Sequence, residues 1–186
     1  MSPFHTTLIA SLALAACTSI VPSTAARLAA MDPLTADPAA IELMVILPPG
    51  LAIIPGSAKL ELSADRGAEH KAGSFSLAEH AAVPGVAVPE GGMARAFAIA
   101  EADVPRMRAL QAEIAAWKRE GAAKGSLGMG LGGCAVNGGP AADATGSVLI
   151  RVREDGPFLP LIADGKLADL LGPEVLAAIK PCKGGE

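Results

Sequence analysis

The stretch DVPRMRALQAEIAAWKREG, residues 103–121, is where the apolar pattern of this chain changes its period. Apolar side chains recur there at intervals of three, three, four and three residues, at Val104, Met107, Leu110, Ile114 and Trp117. That spacing places them on one face of an α-helix. Asp103 stands where a helix N-cap is expected, and Gly121 stands where the helix should end. We therefore predict one long amphipathic helix in this stretch.

The segments on both sides of this helix carry the shorter patterns of β-strands. Residues 41–47 form an apolar run that ends at the turn-forming sequence of residues 48–50, Pro-Pro-Gly. Residues 59–63 and 74–77 alternate polar and apolar side chains, and residues 147–153 form a further strand. We predict an α+β fold: an antiparallel β-sheet or sandwich of about seven short strands, one long amphipathic helix and a short C-terminal helix.

The composition of the 186 residues argues against several classes of protein. Hydrophobic residues make up 51% and charged residues 18%, which is too apolar a mixture for a disordered chain. A net charge of −4 without a cluster of basic residues argues against nucleic acid as a partner. No apolar run reaches the ~18–20 residues of a membrane-spanning helix, which argues against a polytopic membrane protein.

The spacing of the glycines in residues 125–133 suggests a phosphate-binding loop at first sight. Such loops follow a strand and open a helix. Here the predicted helix comes first, and Leu127, Met129 and Leu131 alternate with glycine. We interpret this stretch as a strand packed closely on another backbone, and we predict no cofactor.

The N-terminal residues carry the pattern of an export signal. Residues 8–16, LIASLALAA, form an apolar core of the length found in signal peptides. The core ends in Leu14-Ala15-Ala16-Cys17, which resembles the lipobox of bacterial lipoproteins. The resemblance implies cleavage after Ala16 and acylation of Cys17, where several acyl chains together give a stable anchor. A plain secretory signal and an N-terminal core helix are the alternatives.

The same resemblance implies a location and a division of the chain. The protein would face the periplasm, anchored to a membrane by its lipid, and an envelope protein is a candidate partner. Thr18 after the cysteine favours the outer membrane, by analogy with sorting in enteric bacteria. The chain then divides into a signal peptide (1–16), a lipidated N-terminus and tether (17–38) and a single globular periplasmic domain (39–186).

Cys134 and Cys182 remain once Cys17 is assigned to the anchor. An even number of cysteines in an oxidising compartment predicts one disulfide. For a loop of this length the expected stabilisation is roughly 4 kcal/mol. A redox-active or metal-binding thiol pair is the alternative, although the sequence contains no Cys-x-x-Cys.

The mature sequence offers few residues for catalysis. No serine has glycine two positions before and two after it, and there is no His-Glu-x-x-His. Residues 64–71 are predicted to form a charged loop, and the chemistry-bearing side chains in or near it are Asp65, Glu69, His70, Glu79 and His80.

These observations favour a non-catalytic binding or assembly module over an enzyme. The alternative is a periplasmic metal-binding protein or hydrolase that uses His70 and His80, with the neighbouring carboxylates as further ligands or acid–base partners. Carriage of an apolar ligand is a third interpretation.

Overall fold

The structure is a computed structural model that describes residues 36–82, 85–121 and 123–183. The predicted signal peptide, Cys17 and most of the predicted tether therefore lie outside the described residues. The elements are, in chain order, a 3-10 helix (Pro38–Ala40), β1 (Glu42–Leu47), β2 (Leu51–Ile53), β3 (Lys59–Arg66), β4 (Glu69–His80), β5 (Met93–Ile99), a second 3-10 helix (Glu101–Asp103), α1 (Val104–Glu120), β6 (Lys124–Gly130), β7 (Gly133–Ala135), β8 (Thr145–Arg151), β9 (Leu159–Lys166), α2 (Leu167–Leu171) and α3 (Pro173–Ala177).

Seven of these strands form one antiparallel sheet in the order β6-β3-β4-β5-β1-β8-β9. The other two, β2 and β7, pair as a separate ribbon. This architecture confirms the predicted α+β class, with α1 as the long helix and with the C-terminal helical stretch divided at Gly172 into α2 and α3. Among the described residues, no helix is both long enough and apolar enough to cross a membrane.

Strand β1 is an interior strand of the sheet, between β5 and β8. Its residues Glu42–Ile46 are all buried. Successive side chains of a strand point to opposite faces, so Leu43 and Val45 share one face and Glu42, Met44 and Ile46 share the other. The first face belongs to the main hydrophobic core. Burial on both faces explains why residues 41–47 are apolar at every position except Glu42.

Helix α1 packs on the sheet through the stripe that its sequence predicts. Met107, Ile114 and Trp117 are buried in the core together with Leu43 and Val45. Leu110 packs against the same core and is half-buried. The 3.6-residue period of the apolar positions therefore correctly predicted the face of the helix that is buried.

The segment 64–71, predicted as a charged loop, is the tip of the β3–β4 hairpin. β3 runs to Arg66 and β4 begins at Glu69, so that Gly67, with φ of +61°, lies in the turn. The cationic side chains here hold the helix: the Arg66 guanidinium carbon and the Lys71 Nζ each lie 4.7 Å from the ring centroid of Trp117. Cations over the face of an indole ring are attracted to it, so these charges join the hairpin to α1.

Asp103 occupies the predicted N-cap position of α1, but its side chain makes no capping hydrogen bond. Its Oδ2 instead accepts a hydrogen bond of 2.7 Å from the backbone N–H of Ser76 in β4, and its Oδ1 pairs with Arg106. The Ser76 hydrogen bond, and then the Arg106 guanidinium, hold the pKa of the Asp103 carboxyl below its ordinary value of 3.8, although partial burial opposes them. Asp103 thus fixes the start of the helix to the sheet.

We expect Asp103→Asn to lower the free energy of unfolding at neutral pH, because the variant loses the charge that Ser76 and Arg106 stabilise. A lowered folded-state pKa means that this stabilisation is complete above 3.8 and is lost as the pH falls through the folded-state value. The difference between native protein and variant should therefore be largest near neutral pH and should shrink progressively as the pH falls below 3.8.

Urea unfolding at a series of pH values measures this difference. Asp143→Asn, at an exposed position, is the matched control and should change the unfolding midpoint little at any pH. A difference for Asp103→Asn that does not depend on pH would contradict the assignment.

Candidate functional site

The structure separates the two histidines that the sequence offered as partners. His70 and His80 lie near opposite ends of β4, and ten residues of extended strand span about 33 Å. Nδ1 of His70 lies 2.7 Å from Oδ1 of Asp65, and both side chains are more than half exposed. Within the described ranges, no group of three or more His, Cys, Asp or Glu side chains is arranged to hold a metal ion. The two histidines therefore do not share a site.

Cys134 and Cys182 form the predicted disulfide, with their Cα atoms 4.8 Å apart. Cys134 lies in β7, and the C-terminal segment runs beside that strand through a parallel bridge between Ala135 and Pro181. The backbone N–H of Cys182 donates a hydrogen bond of 3.0 Å to the Ala135 carbonyl. The disulfide and these backbone contacts tie the end of the chain to the β2–β7 ribbon.

Glycine at position 50 is required where the loop after β1 meets the loop after β7. The backbone N–H of Val136 donates a hydrogen bond of 3.0 Å to the Gly50 carbonyl. Gly50 has φ of +89°, and a Cβ atom there would lie 2.2 Å from the Gly139 carbonyl oxygen. A side chain at this position would push the two loops apart, so this glycine allows the ribbon to close beside the disulfide.

Four side chains come together on the face of the sheet opposite α1. We call them the Glu42 cluster: Glu42, His80, Arg151 and Phe158. The Arg151 guanidinium pairs with Oε2 of Glu42, and its central carbon lies 4.9 Å from the ring centroid of Phe158. Nε2 of His80 lies 3.2 Å from Oε1 of Glu42. The Glu42 side chain is only 7% exposed, whereas those of Arg151 and His80 are 27% and 44% exposed. The carboxylate is therefore buried, and the imidazole is accessible from solvent.

The register of the sheet brings the cluster together. Glu42 in β1 lies directly opposite Arg151 in β8 and opposite Ala98 in β5. Ala96, the next residue on that face of β5, lies opposite His80 in β4. Both residues of β5 between the carboxylate and the imidazole are thus alanines. Their small side chains leave room for Glu42 and His80 to meet above β5.

The two oxygens of Glu42 have different surroundings. Oε2 forms the ion pair with Arg151. Oε1 is buried, and no group in the described part of the chain makes a hydrogen bond to it, although Nε2 of His80 is close. Leaving a buried acceptor without a donor costs about 1–3 kcal/mol. An oxygen in this state calls for a specific explanation.

Only one of the residues that the sequence offered for chemistry, His80, belongs to the cluster. Glu79 lies on the other face of β4 and pairs with Arg95, at 2.8 Å between Oε1 and Nε. Sequence reasoning missed Glu42 and Arg151. Glu42 did leave a signal, since it is the only charged residue in the apolar run of residues 41–47. Arg151 left no such signal, because no local sequence pattern in either strand indicates that β1 pairs with β8.

No family model, no curated protein and no solved structure matches this chain. The Glu42 cluster holds a fixed carboxylate, a guanidinium that neutralises one of its oxygens, and an imidazole that solvent can reach. Its free acceptor, Oε1, is suited to a cation or to a hydrogen-bond donor.

We expect Arg151→Met to lower the free energy of unfolding by about 3 kcal/mol, because it leaves the buried Glu42 carboxylate without its compensating charge. Methionine keeps much of the apolar stem of arginine, so the loss of charge dominates the effect. Urea unfolding near neutral pH measures the change.

Arg95→Met is the matched control on the other face of the same sheet. Its ion pair with Glu79 is exposed, so the loss should stay below about 1 kcal/mol. An equally small loss for Arg151→Met would contradict the description of Glu42 as a buried, compensated charge.

Proposed function

We propose that this chain is a lipid-anchored cell-envelope lipoprotein that faces the periplasm. The proposed anchor is Cys17, which with Leu14-Ala15-Ala16 resembles a lipobox. The observation that carries the proposal is the disulfide between Cys134 and Cys182. Because thiols of cytosolic proteins are kept reduced, a disulfide within the folded part fits export to an oxidising compartment. Thr18 favours the outer membrane over the inner membrane.

The folded part acts, in this proposal, by binding an envelope protein as an assembly or accessory module. Support comes from the two short C-terminal helices, α2 and α3, which follow one another with Gly172 between them. Leu171 in α2 is 43% exposed, and Val175 in α3 is 56% exposed. Large apolar side chains exposed close together are typical of protein association sites.

We expect the native protein to incorporate labelled palmitate in cells and the Cys17→Ser variant to incorporate none. Serine lacks the thiol that receives the diacylglycerol, so the variant cannot carry the acyl chains of the anchor. Immunoprecipitation after labelling measures the incorporated lipid.

The control is the double variant Cys134→Ser/Cys182→Ser, which removes the other two thiols. It should keep the label, while losing the reductant-dependent shift in electrophoretic mobility that the disulfide gives the native protein. Retention of the label in Cys17→Ser would contradict the anchor.

We expect Val175→Asp to abolish a crosslink between this protein and an envelope protein in living cells, because a charge in place of this exposed valine cannot be buried against a partner without cost. Crosslinking followed by mass spectrometry identifies the captured protein.

Val88→Asp is the matched control, because Val88 is a similarly exposed valine, at 42%, outside α2 and α3. It should leave the crosslink unchanged. The absence of any specific crosslink to the native protein, or an equal loss in both variants, would contradict the assembly role of this surface.

A further inference from the structure

The hydrogen bonding of His80 determines which ring nitrogen carries a proton. Nδ1 of His80 lies 3.2 Å from the backbone carbonyl oxygen of Ala81. A carbonyl oxygen only accepts hydrogen bonds, so Nδ1 must be the donor. In a neutral imidazole the other nitrogen, Nε2, then carries a lone pair and no proton.

The Nε2 atom lies beside the buried carboxylate of Glu42. Nε2 of His80 is 3.2 Å from Oε1 of Glu42, which is the oxygen that lacks a hydrogen-bond donor among the described residues. When His80 is neutral with its proton on Nδ1, two electron-rich atoms lie close together, and Glu42 is more than nine-tenths buried. Their repulsion is relieved by a proton on Nε2 or by a metal ion between the two atoms.

We propose that His80 and Glu42 bind a divalent transition-metal ion of the zinc class, through Nε2 and Oε1. Zinc binds histidine nitrogen at about 2.0–2.1 Å and carboxylate oxygen at about 2.0–2.2 Å, so two ligands of a tetrahedral site lie about 3.4 Å apart. The observed separation of 3.2 Å fits that geometry. Both ligand types are ones that zinc prefers.

The groups around the two ligands fit the same assignment. Metal-binding histidines commonly donate their second ring N–H to a backbone carbonyl, which fixes the ring, and Ala81 accepts that bond here. Arg151 holds Oε2, so the carboxylate offers one oxygen to the metal. Because the described residues supply two ligands at this site, we assign the remaining coordination positions to water or to an exogenous ligand.

The test is isothermal titration of zinc chloride into the full chain, purified in detergent without a polyhistidine tag, at about pH 8, where imidazole side chains in general are neutral. We expect saturable binding of one zinc ion. His80→Ala should weaken it by at least about tenfold, and His70→Ala should change it by less than about twofold. His70 is the matched control because it also lies beside a carboxylate, that of Asp65, but at the exposed end of the hairpin.

A second measurement distinguishes loss of zinc binding from loss of folding in the variant. Zinc should raise the urea midpoint of the native protein and of His70→Ala, and should leave that of His80→Ala unchanged, because a ligand stabilises only the state that binds it. The absence of saturable zinc binding to the native protein, or an equal loss in both variants, would overturn the proposal. The result is independent of palmitate incorporation at Cys17, so the metal site and the anchor fail or succeed separately.

Discussion

The burial of β1 on both faces is the constraint on which the rest of the structure depends. A strand in the middle of a sheet, covered on both sides, must carry apolar side chains or pair every polar one. Leu43 and Val45 are apolar and are buried in the same hydrophobic core as the apolar face of helix α1. Glu42 is charged, and it forms an ion pair with Arg151 of β8 and lies beside His80 of β4, above the alanines of β5. One charged residue of this interior strand is thereby joined to side chains of two other strands, β8 and β4.

The two faces of the sheet have different roles as a result. On the first face, Trp117 closes the core, and Arg66 and Lys71 hold its ring against the β3–β4 hairpin. On the second face, Oε1 of Glu42 is buried without a hydrogen-bond donor among the described residues, beside the accessible imidazole of His80. Replacing a buried ion pair by apolar side chains is often neutral or stabilising, so we propose that the Glu42 cluster is kept for binding.

Sequence reasoning was reliable where the signal is local and periodic. The spacing of Met107, Ile114 and Trp117 predicted the buried face of α1, and the apolar run of residues 41–47 predicted β1. It was wrong or incomplete where a long-range partner decides the outcome. Asp103 does occupy the predicted N-cap position, but its carboxylate accepts a hydrogen bond from the Ser76 N–H in β4 and does not cap the helix. The charges of residues 64–71 suggested a loop, but their partners on α1 are distant in sequence. The Glu42 cluster was missed for the same reason, since its residues meet only through the strand order.

The most direct test of a binding role for Glu42 is the stability of the double variant Glu42→Leu/Arg151→Met. Replacing a buried ion pair by apolar side chains of similar size is often neutral or stabilising. If the cluster exists for binding, the double variant should unfold at the same urea concentration as the native protein or at a higher one, and it should no longer bind zinc. A double variant that is strongly destabilised would contradict this account, because the cluster would then be needed to hold the sheet together.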